Sequence, residues 1–129
     1  MSAETDRERV VVAVKDDGSV WAWGDNGSGQ LGDGTLANHS QPTSVPGLGN
    51  VTKVSAGGSY TPYTLALKSD GSVLAWGDNS LGQLGDGTST RRLSPVQVSG
   101  LDNVTSISAG GAYALALKSD GNAWGWGAN

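Results

Sequence analysis

Apolar and polar residues alternate along several short runs of this chain. Residues 51–56 alternate in this way, and Gly57 and Gly58 end the run. Residues 63–67 and 72–76 are two further apolar-rich runs. Alternation with a period of two is typical of a strand with one buried face, because successive side chains in a strand point to opposite faces. The pattern therefore predicts three short strands between residues 51 and 76.

A tight turn is expected between the second and third of these strands. Asp70-Gly71 separates the two runs, and Asp17-Gly18 and Asp120-Gly121 occupy the same place in two other parts of the chain. Asp-Gly between β-rich runs is a strong hairpin signal, since a primed turn needs positive φ at its central residues. We therefore expect an antiparallel hairpin with a primed turn at each place.

A long loop and a fourth strand complete the unit. Residues 77–87 are too rich in Gly, Asp and Asn for regular structure, and Leu84 is the apolar residue expected to pin this loop. Residues 95–98 are predicted to form a last strand with Pro95 at its start, where a missing N–H does least harm. Four short antiparallel strands in about 50 residues predict an all-β fold of propeller blades.

The unit is repeated along the chain. A 22-residue stretch that begins at Leu67 occurs about two and a third times. Gly18, Gly71 and Gly121 occupy one slot of the repeat, at spacings of 53 and then 50 residues. The three additional residues lie within residues 59–62, between two predicted strands. A period near 50 is typical of propeller blades or of a solenoid.

Composition supports this fold and excludes several kinds of chemistry. The 129 residues include 21 Gly, no Cys and no Phe, and 16% are charged. Many glycines disfavour helix, and the absence of Cys excludes disulfides, thiolate metal sites and cysteine nucleophiles. The net charge of −4 argues against nucleic acid as a partner, because the phosphate backbone is bound by clustered Lys and Arg. We see no signal peptide and no transmembrane segment, so we expect no membrane partner. The sequence leaves the compartment open, with the cytoplasm as the default.

Four spaced motifs carry a family resemblance. The motifs recur in register, and they are LALKSDG, WAWGDN, GQLGDGT and VxxVSAGG. Together they resemble the repeat of the regulator of chromosome condensation family, in the form common among bacterial members. The resemblance covers residues 10–129 and implies a β-propeller, usually of about seven blades. Members include a nucleotide-exchange factor for a small Ras-like GTPase and an inhibitor of β-lactamases. The exchange-factor branch binds chromatin with a basic tail, whereas the side-chain charges of residues 2–9 nearly cancel.

The repeat also predicts how the chain is organised and assembled. We expect a polar N-terminal tail and an array of three units, at residues 1–9, 10–62, 63–112 and 113–129. The first blade is expected to lack its opening strand, and the third its long loop and last strand, which gives three, four and three strands. Closing a propeller takes about four to eight blades, so we expect either a piece of a longer protein or a ring of several copies. Three copies would supply about seven blades, which favours a trimer.

The candidate chemical motifs lack the context that their chemistry needs. Gly27 to Gly32 matches the dinucleotide pattern G-x-G-x-x-G, but no helix follows it. The loops that begin at Asp25 and Asp78 lack the remaining ligands of a calcium site, so turn capping explains them better. His39 is interpreted as a solvated loop residue without an equivalent in the second copy. We therefore expect no catalytic residue, no metal and no cofactor, and a protein that is not an enzyme.

Residues that differ between copies are better candidates for contact with a partner. A framework repeats, whereas a binding surface must be distinctive, and Tyr and Arg are enriched where binding energy concentrates. The expected function is a non-catalytic protein-binding or scaffold module, with an exchange factor and an enzyme inhibitor as the alternatives. Ordinary loop variation is the competing interpretation of the same residues. The predicted contact surface consists of Tyr60, Pro62, Tyr63, Arg91 and Arg92.

Overall fold

Three antiparallel sheets make up the fold. The computed structural model describes residues 10–58 and 61–128, together with the backbone of residues 2–5. The sheets are blade 1 (β1-β2-β3-β4), blade 2 (β5-β6-β7-β8) and blade 3, with the order β11-β10-β9. The strands are β1 Ser2–Thr5, β2 Val10–Val14, β3 Val20–Gly24, β4 His39–Ser44, β5 Val51–Gly57, β6 Tyr63–Lys68, β7 Val73–Gly77, β8 Arg92–Gln97, β9 Val104–Ala109, β10 Tyr113–Lys118 and β11 Ala123–Gly127. The predicted all-β blades are confirmed.

The first blade has one more strand than the sequence predicted. β1 pairs antiparallel with β2 and places Ser2 opposite Val14 and Thr5 opposite Val11. The expectation of a missing opening strand is therefore wrong, and the described strands number four, four and three. Backbone N–H and C=O groups form the ladder, so a segment without the motif residues pairs as well as one that has them. Part of the predicted tail 1–9 is thus a strand, and residues 6–9 lie outside the described residues.

The Asp-Gly hairpins are present, but their turns are not primed. Lys68 N donates to Ser72 O at 2.9 Å, and Gly71 N donates to Lys68 O at 3.0 Å. Gly71 has φ +86°, whereas Asn50 and Asn103 are the described non-glycine residues with positive φ. The loop is therefore a three-residue turn whose left-handed position is the glycine alone. A Cβ at Gly71 would also lie 2.9 Å from backbone atoms of Asn103. Both the positive φ and this close approach therefore favour glycine at this position.

The outer strand of blade 2 begins earlier than predicted. β8 runs from Arg92 to Gln97 and therefore contains Pro95 in its interior, not at its start. β8 lies at the edge of its sheet, next to β7 alone. An edge strand tolerates proline because one side of its backbone needs no partner.

Hydrophobic cores lie between the blades. Val10, Val12 and Val14 of blade 1 pack with Val51 and Trp76 of blade 2 in one buried cluster. A second cluster joins blade 2 to blade 3, and the first strands of successive blades contact one another. Each blade thus buries apolar side chains against its neighbour. The predicted units begin and end at other residues than the three sheets do, so their bounds stay a prediction. These units are 10–62, 63–112 and 113–129.

The part of the chain that the structure describes contains no helix long and apolar enough to cross a membrane.

Candidate protein-interaction surface at the long-loop end

One end of the array carries the long loops, and we call it the long-loop end. It consists of residues 25–38 and 78–91, with residues 58, 61–62 and 110–112 beside them. Asp78 N donates to Pro62 O at 2.9 Å, which places the long loop of blade 2 beside the link between β5 and β6. Arg91 Nη1 lies 3.5 Å from Gly27 O, which brings the two long loops together. The Asp-Gly hairpins lie at the opposite end.

A buried asparagine organises the long loop of blade 2. Asn79 Nδ2 donates to Thr88 O at 3.1 Å, to Thr90 O at 3.0 Å and to the Asp86 carboxylate at 3.2 Å. Its Oδ1 accepts from Leu84 N at 3.0 Å. Asn79 is 0% exposed, so its amide replaces the solvent that these backbone groups would otherwise need. The loop therefore has a fixed shape without regular secondary structure.

The first long loop is built in the same way. Asn26 Nδ2 donates to Thr35 O and Ala37 O, both at 2.9 Å, and its Oδ1 accepts from Leu31 N at 2.9 Å. Asn26 is buried, and Leu31 beside it belongs to the core between blades 1 and 2. The role of Leu84 as a pin is matched here by Leu31, since both leucines are buried at the same place of the repeat.

Asp86 is a second structural centre of the loop. Its carboxylate accepts from Thr88 Oγ1 at 2.7 Å, from Thr88 N at 3.0 Å and from Arg92 Nε at 2.8 Å. Burial raises the pKa of Asp86, but these hydrogen bonds and that from Asn79 outweigh burial and lower the pKa to about 2. The charged form is therefore the one that the folded loop stabilises.

This pKa predicts an acid-sensitive loop, which Asp86→Asn would test. A pKa below the unfolded value of 3.8 means that the stabilisation is present above about pH 4 and is lost between about pH 4 and pH 2. We expect the variant to lose on the order of 1 kcal/mol at neutral pH, because solvent beside the loop screens part of the interaction. Its stability should then fall less steeply than that of the parent chain between pH 4 and 2.

Urea unfolding followed across this pH range gives the measurement. Asp102→Asn is the matched control, because Asp102 has a side chain that is 76% exposed and forms an ion pair with Lys118 at 3.0 Å. Parallel pH profiles for the parent chain and Asp86→Asn would contradict the assignment.

His39 has a different position from the one that the sequence predicted. It is the first residue of β4, and its Nε2 lies 2.6 Å from Asp33 Oδ2. Arg92 and Asp86 form the equivalent pair in blade 2 at 2.8 Å. The interpretation of His39 as a solvated loop residue without an equivalent is therefore wrong. A histidine replaces an arginine in this slot, so a comparison of residue identities alone does not find the correspondence.

A contact between blades explains Gly32, the last glycine of the apparent dinucleotide motif. Trp76 Nε1 of blade 2 donates to Gln30 O of blade 1 at 2.8 Å. A Cβ at Gly32 would lie 2.8 Å from that same indole nitrogen, so the glycine makes room for the tryptophan of the next blade. Trp126 Nε1 repeats the contact with Gln83 O at 2.9 Å. The motif is thus a packing feature of the repeat.

The predicted contact residues are divided by the structure. Tyr60 lies outside the described residues, and Arg91 is exposed at the long-loop end. Arg92 is half-buried in its pair with Asp86. Pro62 and Tyr63 are buried, and Tyr63 donates its hydroxyl to Tyr113 O of blade 3 at 2.7 Å. Tyr63 belongs to the core between blades 2 and 3 and Pro62 is buried beside it in the chain, which corrects their placement on an exposed surface. Partner contact by the others stays a prediction.

Two exposed leucines at this end were not predicted as contact residues. Leu36 is 44% exposed and Leu81 is 47% exposed. The sequence holds a signal for both, since Ser89 and Ser28 occupy their slots in the other copy. A large apolar residue in a loop where the other copy has serine is not required by the framework. Burial of exposed apolar area by a partner is favourable, so these two leucines are candidates for contact.

Within the described ranges, no group of three or more His, Cys, Asp or Glu side chains is placed to hold a metal ion.

Two sheets of four short antiparallel strands and one of three, packed face to face with their first strands in contact, define part of a β-propeller. The model of the Regulator of chromosome condensation (RCC1) repeat matches residues 17–62 and 70–117, and a second model of the same repeat matches residues 51–83. The chain belongs to the RCC1 repeat family.

Relatives of known sequence are much longer than this chain. Protein RCC2 of Homo sapiens is 41% identical over 86 residues, which are 66% of this chain and 16% of that protein. The ultraviolet-B receptor UVR8 of Arabidopsis thaliana is 36% identical over 106 residues, 79% of this chain and 23% of the receptor. The chain therefore spans less than a quarter of the length of these relatives.

Solved structures show the same architecture. Human WBSCR16 superposes with a TM-score of 0.86 and 26% identity over 98% of this chain and 32% of that protein. Yeast RCC1 (Prp20), in its complex with Kap60, gives a TM-score of 0.79 and 26% identity over 98% of this chain and 29% of that chain. The RCC1 repeat and its propeller fold are thus found by sequence and by structure.

Proposed function

We propose that this chain is a non-catalytic protein-binding module whose contact surface lies at the long-loop end. One observation carries this proposal: side chains that the repeat does not require are exposed on loops that buried asparagines hold in shape. Leu36, Leu81 and Arg91 are the exposed residues, and Asn26 and Asn79 are the buried ones. A preformed loop loses little conformational entropy on binding, so exposed apolar and Arg side chains on it can contribute most of their contact energy.

The repeated polar residues of these loops have structural roles. Asn79, Gln83 and Asp86 each form hydrogen bonds within the loop, as do their equivalents in the first loop where these are described. Side chains engaged in this way contribute to the shape of the loop and offer no reactive group to a substrate. This supports a binding role over a catalytic one.

Binding to two defined proteins tests the proposal. The Prp20 structure was described together with its binding to Gsp1p and histones, so purified Gsp1p and core histones are suitable probes. We expect the chain to bind at least one of them in an interferometry assay. The double variant Leu81→Ser, Arg91→Glu should weaken this binding about tenfold or more, because both residues are exposed at the proposed surface.

Ser119→Ala is the matched control for this experiment. Ser119 is exposed in the hairpin between β10 and β11, at the opposite end of the array, so its loss should leave binding unchanged. Equal binding by the parent chain and the double variant would contradict the proposed surface. Binding of neither probe by the parent chain would contradict the proposed function.

A second candidate function is the regulation of a small GTPase by nucleotide exchange. Its support is the likeness to Prp20, with a TM-score of 0.74 and 27% identity over 92% of this chain and 28% of that chain. Release of a fluorescent guanine nucleotide from Gsp1p, followed with and without the chain, separates the two functions. Binding without faster release supports the binding module, whereas faster release supports the exchange factor.

A further inference from the structure

The first long loop contains an Asn-Gly dipeptide, Asn26-Gly27, at its central asparagine. The backbone nitrogen that follows an asparagine can attack the side-chain amide, and a glycine there has no Cβ to hinder the attack. In blade 2 the residue that follows the equivalent Asn79 is Ser80. The two long loops therefore share their asparagine but differ in the reactivity of its amide.

The backbone does not require a glycine at residue 27. The φ of Gly27 is not in the left-handed region, and a Cβ there would meet no atom within 4 Å. Ser80 fills the same slot in blade 2, where its Oγ donates to Asp78 Oδ1 at 2.7 Å. Gly27 has no side chain with which to form the equivalent bond to Asp25. The residue that makes Asn26 reactive thus also removes a hydrogen bond from the start of its loop.

The closed loop holds the amide of Asn26 in a position where it cannot react. Its Nδ2, the group that would leave, donates to Thr35 O and Ala37 O at 2.9 Å, and the side chain is 0% exposed. Its Oδ1 accepts from Leu31 N at 2.9 Å. Attack by Gly27 N requires the amide to turn out of these hydrogen bonds. The reaction therefore depends on local opening of the loop.

We propose that Asn26-Gly27 is a site of spontaneous deamidation, which proceeds when the first long loop opens and then prevents its closure. Gly27 N forms a bond to Cγ of Asn26, the bond from Cγ to Nδ2 breaks, and Nδ2 leaves as ammonia with the proton of Gly27 N. Water then opens the cyclic imide at either carbonyl, which leaves aspartate or isoaspartate at residue 26. Solvent supplies the water, so the step balances without a further reactant.

Neither product fits the closed loop. Aspartate at residue 26 would place a carboxylate oxygen against Thr35 O and Ala37 O, to which the amide now donates. The Asp33 carboxylate, which accepts from the same amide at 3.3 Å, adds a second negative charge. Isoaspartate also inserts a carbon into the main chain, which changes the distance from residue 26 to Leu31 N.

Closure of this loop also joins two blades. Trp76 Nε1 donates to Gln30 O at 2.8 Å, and Gly34 N donates to Leu93 O at 2.8 Å. An open loop cannot hold residues 30 and 34 in these positions. Deamidation would therefore loosen the contact between blades 1 and 2 together with the shape of the long-loop end. The reaction does not depend on the proposed function, because it follows from the chemistry of the amide alone.

Incubation of the 129-residue chain at mildly alkaline pH, with and without denaturing urea, tests the reaction. Fragmentation mass spectrometry of the peptides locates each converted asparagine. We expect Asn26 to convert at least about tenfold faster in urea than in the folded chain, because opening limits the reaction of the folded chain. In urea, Asn26 should also convert faster than Asn79. Equal rates with and without urea, or equal rates at the two asparagines in urea, would overturn the proposal.

An exchange of the two following residues provides matched variants. Gly27→Ser gives the first loop the Asn-Ser dipeptide of the second, and Ser80→Gly does the reverse. The first change should slow conversion at Asn26, and the second should accelerate it at Asn79, each about tenfold or more in urea. Both comparisons are made in urea, so they do not depend on how the variants fold. Conversion at Asn26 that is as fast in Gly27→Ser as in the parent chain would refute the role of Gly27.

Hydrogen exchange in Asn26→Asp at neutral pH tests whether the modified loop can close. The reporter is the amide of Leu31, which donates to Asn26 Oδ1, and the control is the amide of Leu84, which donates to Asn79 Oδ1 at 3.0 Å. We expect protection of Leu31 to fall at least about tenfold while that of Leu84 is retained. Unchanged protection of Leu31 would show that the modified loop closes. An equal loss at Leu84 would show that the effect is not confined to the first loop, and either result would overturn the second part of the proposal.

Discussion

Replacing Trp76 by alanine should cost about 4 kcal/mol of the free energy of unfolding, the largest effect that we expect from one substitution. Trp76 is 0% exposed and packs in the core between blades 1 and 2. Its removal leaves a cavity and also leaves Gln30 O, which accepts the indole N–H at 2.8 Å, without that donor. The change therefore weakens the interface between two blades and not merely one sheet.

Trp124→Ala is the matched control for this measurement. Trp124 lies on the strand equivalent to that of Trp76, two residues before the repeated tryptophan slot, and it is 48% exposed. Lys118 Nζ lies 5.3 Å from its ring, an exposed cation–π contact that is worth about 0.5–1 kcal/mol. Urea unfolding of both variants gives the comparison. A loss in Trp76→Ala no larger than that in Trp124→Ala would show that the core between the blades does not hold the array together.

Replacing Asn79 by aspartate should cost about 3 kcal/mol at neutral pH, although the two side chains have nearly the same shape. The substitution places a carboxylate oxygen against Thr88 O and Thr90 O, to which the amide now donates at 3.1 and 3.0 Å. Asp86 adds a second negative charge to the same site. A buried carboxylate next to acceptors is disfavoured in its charged form, which raises its pKa in the folded state.

The pH dependence distinguishes this effect from simple loss of the side chain. A folded-state pKa above the unfolded value means that Asn79→Asp regains stability as the pH falls, whereas Asn79→Ala has no such group and should not. Asn122→Asp is the control, because the Asn122 amide also donates to a carboxylate, that of Asp120 at 3.1 Å, but in an exposed hairpin. Solvent screens the added charge there, so the loss should stay below about 0.5 kcal/mol. Equal pH profiles for Asn79→Asp and Asn79→Ala would contradict the role given to the amide N–H groups.

Local patterns were sufficient to predict the blade from the sequence. Alternating residues, Asp-Gly turns and the glycine-rich loop each act over a few residues, and the strands β5, β6 and β7 lie where they were expected. The opening strand β1 was missed because its pairing uses backbone groups, which every residue except proline carries. The turn type was missed because one glycine at a left-handed position satisfies a three-residue loop as well as a primed turn.

The candidate site was harder to predict because burial depends on residues about 50 positions away. Tyr63 and Tyr113 occupy the same slot, yet the first is 0% exposed and the second is 54% exposed. Nothing within either copy distinguishes them, since the neighbouring blade alone decides which one is covered. The sequence alone therefore places Tyr63 among the variable surface residues. It places Leu81 in a loop that belongs to the repeated framework.

The contact between Trp76 and Gln30 uses a side chain of the framework on one side and a backbone carbonyl on the other. A backbone carbonyl is present whatever side chain residue 30 carries. This contact between blades therefore places no requirement on the side chains at the exposed positions of the loop. The exposed loop positions can thus change at little structural cost, and they include Leu36, Leu81 and Arg91. Duplication of one blade copies the residues that form the contact between blades together with a loop whose exposed side chains can vary. A lineage of such arrays can gain new partners by point substitution while its architecture is inherited unchanged.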